Sequence, residues 1–202
     1  MITQEAPLTR REQKERTRAS LLAAAEELIR ARGLDGVTAR DISDRAGVAA
    51  GTFFVHFPEV ASLVDALFDE HVGRSLARGY RTVADDASLV DSVVHVADAL
   101  FAGYAKEPDL ARAFITNTLF RVDDAGATSA RLADFRAWVL DRMVRARASG
   151  ELSAEIDLEA AFETFFCLYL GLVVGGLRGS MSRRRQRDLL RSALEALLVV
   201  AS

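Results

Sequence analysis

From about Thr9 to Arg32 the apolar residues Leu21, Leu22, Ala25, Leu28 and Ile29 recur every three or four positions, the repeat of a helix with one buried stripe. Gly33 follows where a C-terminal cap is expected. After the short link Leu34-Asp35-Gly36-Val37, Thr38 with Asp41 three residues on resembles a capping pair that opens a second helix. That helix is brief, because Gly47 supplies a residue free to take positive φ. A third short helix runs from about Ala49 to His56 and stops at Phe57-Pro58, since proline disfavours helix in the residue before it. Neither short helix is stable alone, so both must rest on the first through Ile42, Ala46, Val48, Phe53 and Phe57. Two short helices around a glycine turn form a helix-turn-helix, whose second member enters the DNA major groove.

Beyond Pro58 the same periodicity predicts a long helix to about Tyr80. Further helices are expected near 86–105, 109–120, 128–149, 157–178 and 184–200. The breaks are readable: Asp85-Asp86, Glu107-Pro108-Asp109, Asp123-Asp124-Ala125-Gly126 and Ser149-Gly150 carry loop and cap chemistry. No strand-like alternation persists, so the fold class is all-α. A three-helix domain over residues 1–57 is joined to a helical domain over 58–202. The helix at 157–178 is apolar nearly all round, which the surface of a monomer would not tolerate. One side can face the chain's own core and the other a second copy, with Gly171, Gly175 and Gly176 permitting close approach. The last helix adds a stripe of Leu189, Leu190, Ala193, Leu194, Leu197 and Leu198, so these two helices are the expected homodimer interface, the alternative being monomer core.

Composition fits helices: half of the 202 residues are apolar, 27% are charged and only three are proline. A single cysteine, Cys167, excludes an intramolecular disulfide and a cysteine-rich zinc finger; within an apolar helix it is expected to be inert packing. The charged N-terminus resembles no secretion signal, and the longest apolar run, Phe165 to Leu177, is too short for a bilayer. A cytoplasmic protein without membrane contact is expected. The net charge of −3 argues against a nucleic-acid partner only until it is divided: residues 1–57 carry +1 and residues 58–202 carry −4. Positive residues bunch at Arg10, Arg11, Lys14, Arg16 and Arg18, an arm suited to a phosphate backbone.

The stretch VTARDISDRAGVAAGTFFVHF, Val37 to Phe57, closely resembles the DNA-binding domain of the TetR family of one-component repressors. The specific match covers about residues 15–70. Gly150-Glu-Leu, Asp157 and the long apolar helix after it bear a looser likeness to the family's ligand-binding and dimerisation domain. The resemblance implies a homodimer on double-stranded operator DNA, released when a small-molecule effector enters the second domain. It implies neither catalysis nor a cofactor.

On that footing Thr38 offers a hydroxyl, a backbone N–H and a helix N-terminus to a phosphate, and Arg40 can reach a phosphate or a base edge. The plainer readings are a cap and a solvated arginine. On the recognition helix Ala49, Ala50 and Val55 face outward, Gly51 allows close approach and Thr52 can meet a phosphate or a thymine methyl. Common family members carry lysine at the equivalent of Ala50, a phosphate-binding tyrosine at Phe54 and lysine near Val60. All three polar groups are missing here, so either the basic arm compensates, which is the favoured reading, or DNA binding is weakened or lost; base readout is left to methyl contacts, His56 and Arg40. His56 is either a phosphate contact or packing beside Phe57. For the effector, Phe101, Tyr104, Phe114, Asn117, Trp138, Phe162 and Phe166 are candidate walls of a largely apolar pocket, each also an ordinary core residue. Asp91 and His95 sit at i, i+4 spacing suited to a metal, but no third ligand follows, so no metal site is expected.

Overall fold

The computed structural model of the chain describes residues 9–120 and 130–198, with side chains throughout except those of residues 117–120 and 130. Nine helices and no strand occur among the described residues: α1 (Arg10–Arg32), α2 (Ala39–Ala46), α3 (Ala50–His56), α4 (Val60–Thr82), α5 (Leu89–Lys106), α6 (Pro108–Phe120), α7 (Ala130–Ser149), α8 (Leu158–Leu177) and α9 (Arg183–Leu198). The predicted order stands, with ends shifted by up to three residues. The loop expected at Asp123 to Gly126 lies outside the described residues, as does the side chain of Asn117.

Local chemistry sets the helix ends. Thr9 and Glu12 form a capping box at the start of α1, with Thr9 N–H donating to Glu12 at 2.7 Å. The basic residues at 10–18 form the first turns of α1, within the helix expected from about Thr9. Thr38 and Asp41 repeat the box at α2, and Gly47 ends that helix at φ 69°, ψ 31°, a left-handed conformation that costs glycine nothing. The Val48 N–H then reaches back to the Ser43 carbonyl at 3.0 Å, turning the chain into α3.

Two cores result. The first gathers Leu21, Ala25 and Ile29 of α1, Ile42 of α2, Phe53 and Phe57 around α3, and Leu63, Val64 and Leu67 from the first two turns of α4. Ala46 and Val48 lie at its edge, half-buried. The second core takes over on α4 at Phe68, Val72 and Leu76 and extends through α5 to α9. Thus α4 is a single rod embedded in both.

The apolar helix α8 is twenty residues long, with a mean hydropathy of 1.7 over its most apolar window, enough by length and composition to cross a membrane. It exceeds the thirteen-residue run because Phe162 and its neighbours extend the helix. Phe162, Phe165, Tyr169, Leu172 and Val173 are buried in the second core, whereas Glu163, Thr164, Cys167 and Gly171 are exposed. Cys167 is therefore not packing within the single chain: the helix turns it to the outer face.

Adjacent phenylalanines separate core from surface, Phe53 being fully buried and Phe54 60% exposed. Phe53→Ala should cost about 3–5 kcal/mol in chemical denaturation. Phe54→Ala should stay within about 0.5 kcal/mol of the parent.

Candidate nucleic-acid interface

Helix α3 packs through one face only. Phe53 and Phe57 anchor it, their ring centroids 5.9 Å apart, while Ala49, Ala50, Gly51, Phe54 and Val55 are exposed and Thr52 is half-buried. Nothing lies within 4 Å of the point where a side chain on Gly51 would begin. The outward surface is thus small and apolar, as the missing lysine and tyrosine predict.

Cations stand beside it. At 100° per residue Arg10, Lys14 and Arg18 share one stripe of α1, in line with buried Leu21. The Arg18 guanidinium lies 4.4 Å from the Phe57 ring centroid, a cation–π contact that orders it at the end of α3. Arg18 is the member of the expected basic arm that this contact ties directly to α3. Arg11 is paired with Glu15 at 3.0 Å, and Arg16 falls roughly 160° around the helix from Lys14 by the same helical geometry. The basic cluster therefore divides, with Lys14 and Arg18 toward the end of α3, Arg10 in line with them along α1, and Arg16 on the opposite side of the helix.

The imidazole of His56 is held below its ordinary range, first by partial burial and then by the charges of Lys14 and Arg18. It is neutral at pH 7 in the free protein. On α2 the Arg40 side chain is 84% exposed, with only a loose 3.9 Å approach to Asp44. Thr38 is more committed: its hydroxyl meets the Asp41 carboxylate at 2.5 Å, and its N–H donates to the same group at 3.0 Å. Those bonds, with Arg32 adding to them, hold the Asp41 carboxyl down to about 2. The capping box leaves the N–H groups of Ala39 and Arg40 as the outward donors of the α2 N-terminus.

Behind the interface α1 is tied to the second half of the chain. Arg30 makes two bonds to Glu107, at 2.8 and 2.6 Å, and also pairs with Glu26. His71 of α4 lies 3.2 Å from the same Glu26. A surface groove of about 260 Å³ runs between Arg30 and the α5–α6 junction at Glu107, Pro108 and Asp109.

A cavity of about 220 Å³ lies between α5, α6 and the α8–α9 turn. Of the aromatic residues expected to line an effector pocket, Phe101 and Tyr104 border it, together with Val173, Leu177, Met181 and the guanidiniums of Arg112 and Arg183. Arg112 caps the end of α8 through the Leu177 carbonyl at 3.2 and 2.9 Å, and Arg183 holds Asp98 at 2.8 and 2.6 Å. The buried Tyr104 hydroxyl bonds that of Tyr169 at 2.8 Å, and burial pushes its ionisation up to about 12. Phe114 stacks on Phe68, Trp138 packs on Tyr80 and Phe135, and Phe162 stacks on Phe166. Phe114 and Phe162 are buried in the core, Trp138 and Phe166 pack half-buried against it, and none of the four borders this cavity. Asp91 pairs with Arg191 at 2.7 Å and His95 bonds Thr82 at 2.8 Å, so each has a partner other than a metal. Among the described residues no third His, Cys, Asp or Glu joins them.

Fold and surface together define an all-α helix-turn-helix protein with an exposed recognition helix. Residues 21–67 match the family described as bacterial regulatory proteins, tetR family. The HTH-type transcriptional repressor KstR2 of Rhodococcus jostii (strain RHA1) is 28% identical over 152 residues, 72% of either chain. A crystal structure of a TetR transcriptional regulator from Rhodococcus sp. RHA1 superposes with a TM-score of 0.68 at 25% identity, covering 91% of this chain and 98% of that one. Thermus thermophilus FadR, a TetR-family repressor crystallised with lauroyl-CoA, shares the fold at a TM-score of 0.65 and 23% identity, over 89% of this chain and 92% of its own. Residues 21–67 thus carry the DNA-binding module of that family, and the chain shares the fold of TetR-family regulators.

The pH response of His56 has a definite sign. In the unfolded chain it takes up a proton near pH 6.5, and in the folded chain at lower pH, so its contribution to stability is present above that range and is lost as pH falls through it. Bound phosphate favours the cation, so DNA affinity should rise as pH falls from 7.5 to 5.5. NMR titration should place the imidazole below 6.5 in the free protein and higher in the complex, and His56→Gln should remove its share of the pH response.

Proposed function

We propose that the chain is a ligand-responsive repressor that binds a palindromic operator as a homodimer and is released by a small, largely apolar molecule. Residues 1–57 are its DNA-reading domain and 58–202 its effector and dimer domain, acting in the cytoplasm, where the operator is. The observation that carries this reading is the juxtaposition of an outward-facing α3 with the Arg10, Lys14 and Arg18 stripe. It puts phosphate-binding cations next to a helix with no basic side chain of its own except His56.

Arg40 and the Ala39 and Arg40 N–H groups supply a second backbone contact at the α2 terminus, and Thr38 serves chiefly to cap it. Ala49, Ala50, Gly51, Thr52, Phe54 and Val55 face the groove. The outer sides of α8 and α9 support the homodimer, since Leu168, Leu170, Leu189 and Leu197 are only half-buried there and a symmetric copy can cover what remains exposed of them. The cavity at Phe101, Tyr104, Val173 and Leu177 supports the effector. Its lining joins these apolar residues to the polar side chains of Tyr104, Arg112, Arg183 and Gln186. A ligand that prefers one spacing of the two recognition helices shifts the population toward it.

Selection of bound fragments from random duplex DNA tests the reading. The expected product is a two-fold symmetric site whose half-sites lie one helical turn, about 34 Å, or a multiple apart; a site without symmetry would overturn the dimer. On that operator, neutralising Arg10 and Lys14 together should lower the slope of log affinity against log salt by about 1.8 per protomer. Arg16→Ala should leave the slope unchanged, because its side chain points away from α3.

A further inference from the structure

The cavity between α5, α6 and the α8–α9 turn is bordered both by buried carbon and by exposed charge. Phe101, Val173 and Leu177 are buried there, whereas Gly179, Arg112 and Arg183 stand exposed at its opening. Its volume of about 220 Å³ somewhat exceeds the roughly 150 Å³ that encloses a benzene, so a single ring with one small substituent fills it. Resting on the reading of this cavity as the effector site, we infer that its ligand is a compact organic acid, whose carboxylate is held by Arg112, Arg183 and the Tyr104 hydroxyl and whose ring lies against Phe101, Val173 and Leu177.

Tyr104 and Tyr169 share a single hydrogen bond of 2.8 Å, and neither hydroxyl makes another among the described residues. Two hydroxyls bring two protons to that one bond, so one proton has no acceptor. Tyr104 borders the cavity and Tyr169 does not. An acceptor in the cavity therefore lets Tyr169 donate to Tyr104 and Tyr104 donate to the ligand, whereas a hydrocarbon would leave the proton stranded. The guanidiniums also have donors to spare. Arg112 engages the Leu177 carbonyl through Nε and Nη2 and Asp109 through Nη1, and Arg183 engages Asp98 through Nε and Nη2. Each guanidinium carries five N–H groups, so both retain some for a ligand. Asp98 and Asp109 balance these two charges, and the excess comes from the α8–α9 turn. Residues 178–188 hold five arginines and one acid, Asp188, whose carboxylate Arg184 and Arg187 share at 3.6 and 3.7 Å. Arg184 and Arg185 sit in the first turn of α9, the helix end whose dipole disfavours cations. An anion at this turn relieves that repulsion, and a cationic ligand would add to it.

Titration calorimetry of the full-length protein tests this with benzoate and cyclohexanecarboxylate against benzamide and cyclohexanecarboxamide, their neutral isosteres. At neutral pH each acid should bind about tenfold tighter than its amide, as ionic hydrogen bonds replace neutral ones. Arg112→Gln and Arg183→Gln should each weaken the acids severalfold and leave the amides unchanged. A merely loosened fold would weaken both. Tyr104→Phe should weaken acid and amide alike by about fivefold, since both accept from the hydroxyl. Arg112 also caps α8, so if Arg112→Gln melts too low to titrate, Arg183→Gln decides.

Amides that bind as tightly as the acids overturn the inference. So does failure of all four compounds to bind at millimolar concentration, or an acid preference that survives in the arginine variants. The complex with the selected operator separates the inference from the reading beneath it. An acid that binds in the cavity without releasing the operator overturns the effector reading and leaves the acid site. Release by neutral apolar compounds alone leaves the effector reading and overturns the acid.

Discussion

Everything in this molecule hangs on the burial of one helix in two cores. The short helices α2 and α3, of eight and seven residues, fall below the length at which a helix holds itself in water. They exist because Ile42, Phe53 and Phe57 close over α1 and over Leu63, Val64 and Leu67 of α4. One turn further on, the same rod is gripped by the second core through Phe68, Val72 and Leu76. Because packed interiors resist continuous deformation, any change of tilt in α4 is a change in how the recognition helix is presented. Arg30, bonded twice to Glu107 across the chain, fixes α1 to the end of α5 and so provides a second strut beside α4.

The recognition surface inverts the arrangement that the resemblance to TetR-type DNA-binding domains implies, with lysine and tyrosine on the recognition helix. Here α3 carries methyl, phenyl and isopropyl surface, and the charge is held on α1. Arg18 shows how the two are joined: its guanidinium covers Phe57, a residue of the core, and its charge depresses the imidazole at His56. A cation so placed is partly ordered before DNA arrives, which lowers the entropy lost on binding. Asp41 works in the opposite direction. It secures α2 by occupying Thr38, and it puts a carboxylate near the point where a phosphate would approach. The amides of Ala39 and Arg40 and the exposed Arg40 side chain must outweigh that charge.

Much of this was legible in the sequence because it is local. Periodicity fixed the helices, Thr38 with Asp41 announced a capping box, and Gly47 announced a left-handed turn. The replacement of polar residues at Ala50, Phe54 and Val60 foretold the apolar face. What depended on long-range placement was not legible. The Arg18 guanidinium, for one, finds the Phe57 ring 39 residues further along the chain. Arg30 and Glu107 are 77 residues apart, with nothing in either neighbourhood to pair them. Aromatic residues carried the weakest signal. A phenylalanine at helical spacing has the same pattern whether it fills core, as Phe114 and Phe162 do, or borders a cavity, as Phe101 does.

The position of that cavity bears on how an occupant would be felt at α3. Ala105, Pro108 and Arg112 line it, and Pro108 also borders the groove that contains Arg30 and Glu107. An occupant pressing on the α5–α6 junction therefore acts within one residue of the carboxylate that holds α1. Glu107 cannot move with that junction and keep both bonds to Arg30 unless α1 follows, and α1 carries Lys14, Arg18 and the packing of α3. The coupling requires no strain through the recognition helix itself. It requires only that the occupied and empty cavities prefer different settings of a junction already bonded to the DNA-reading unit, with the size of the response limited by the ligand's differential affinity for the two.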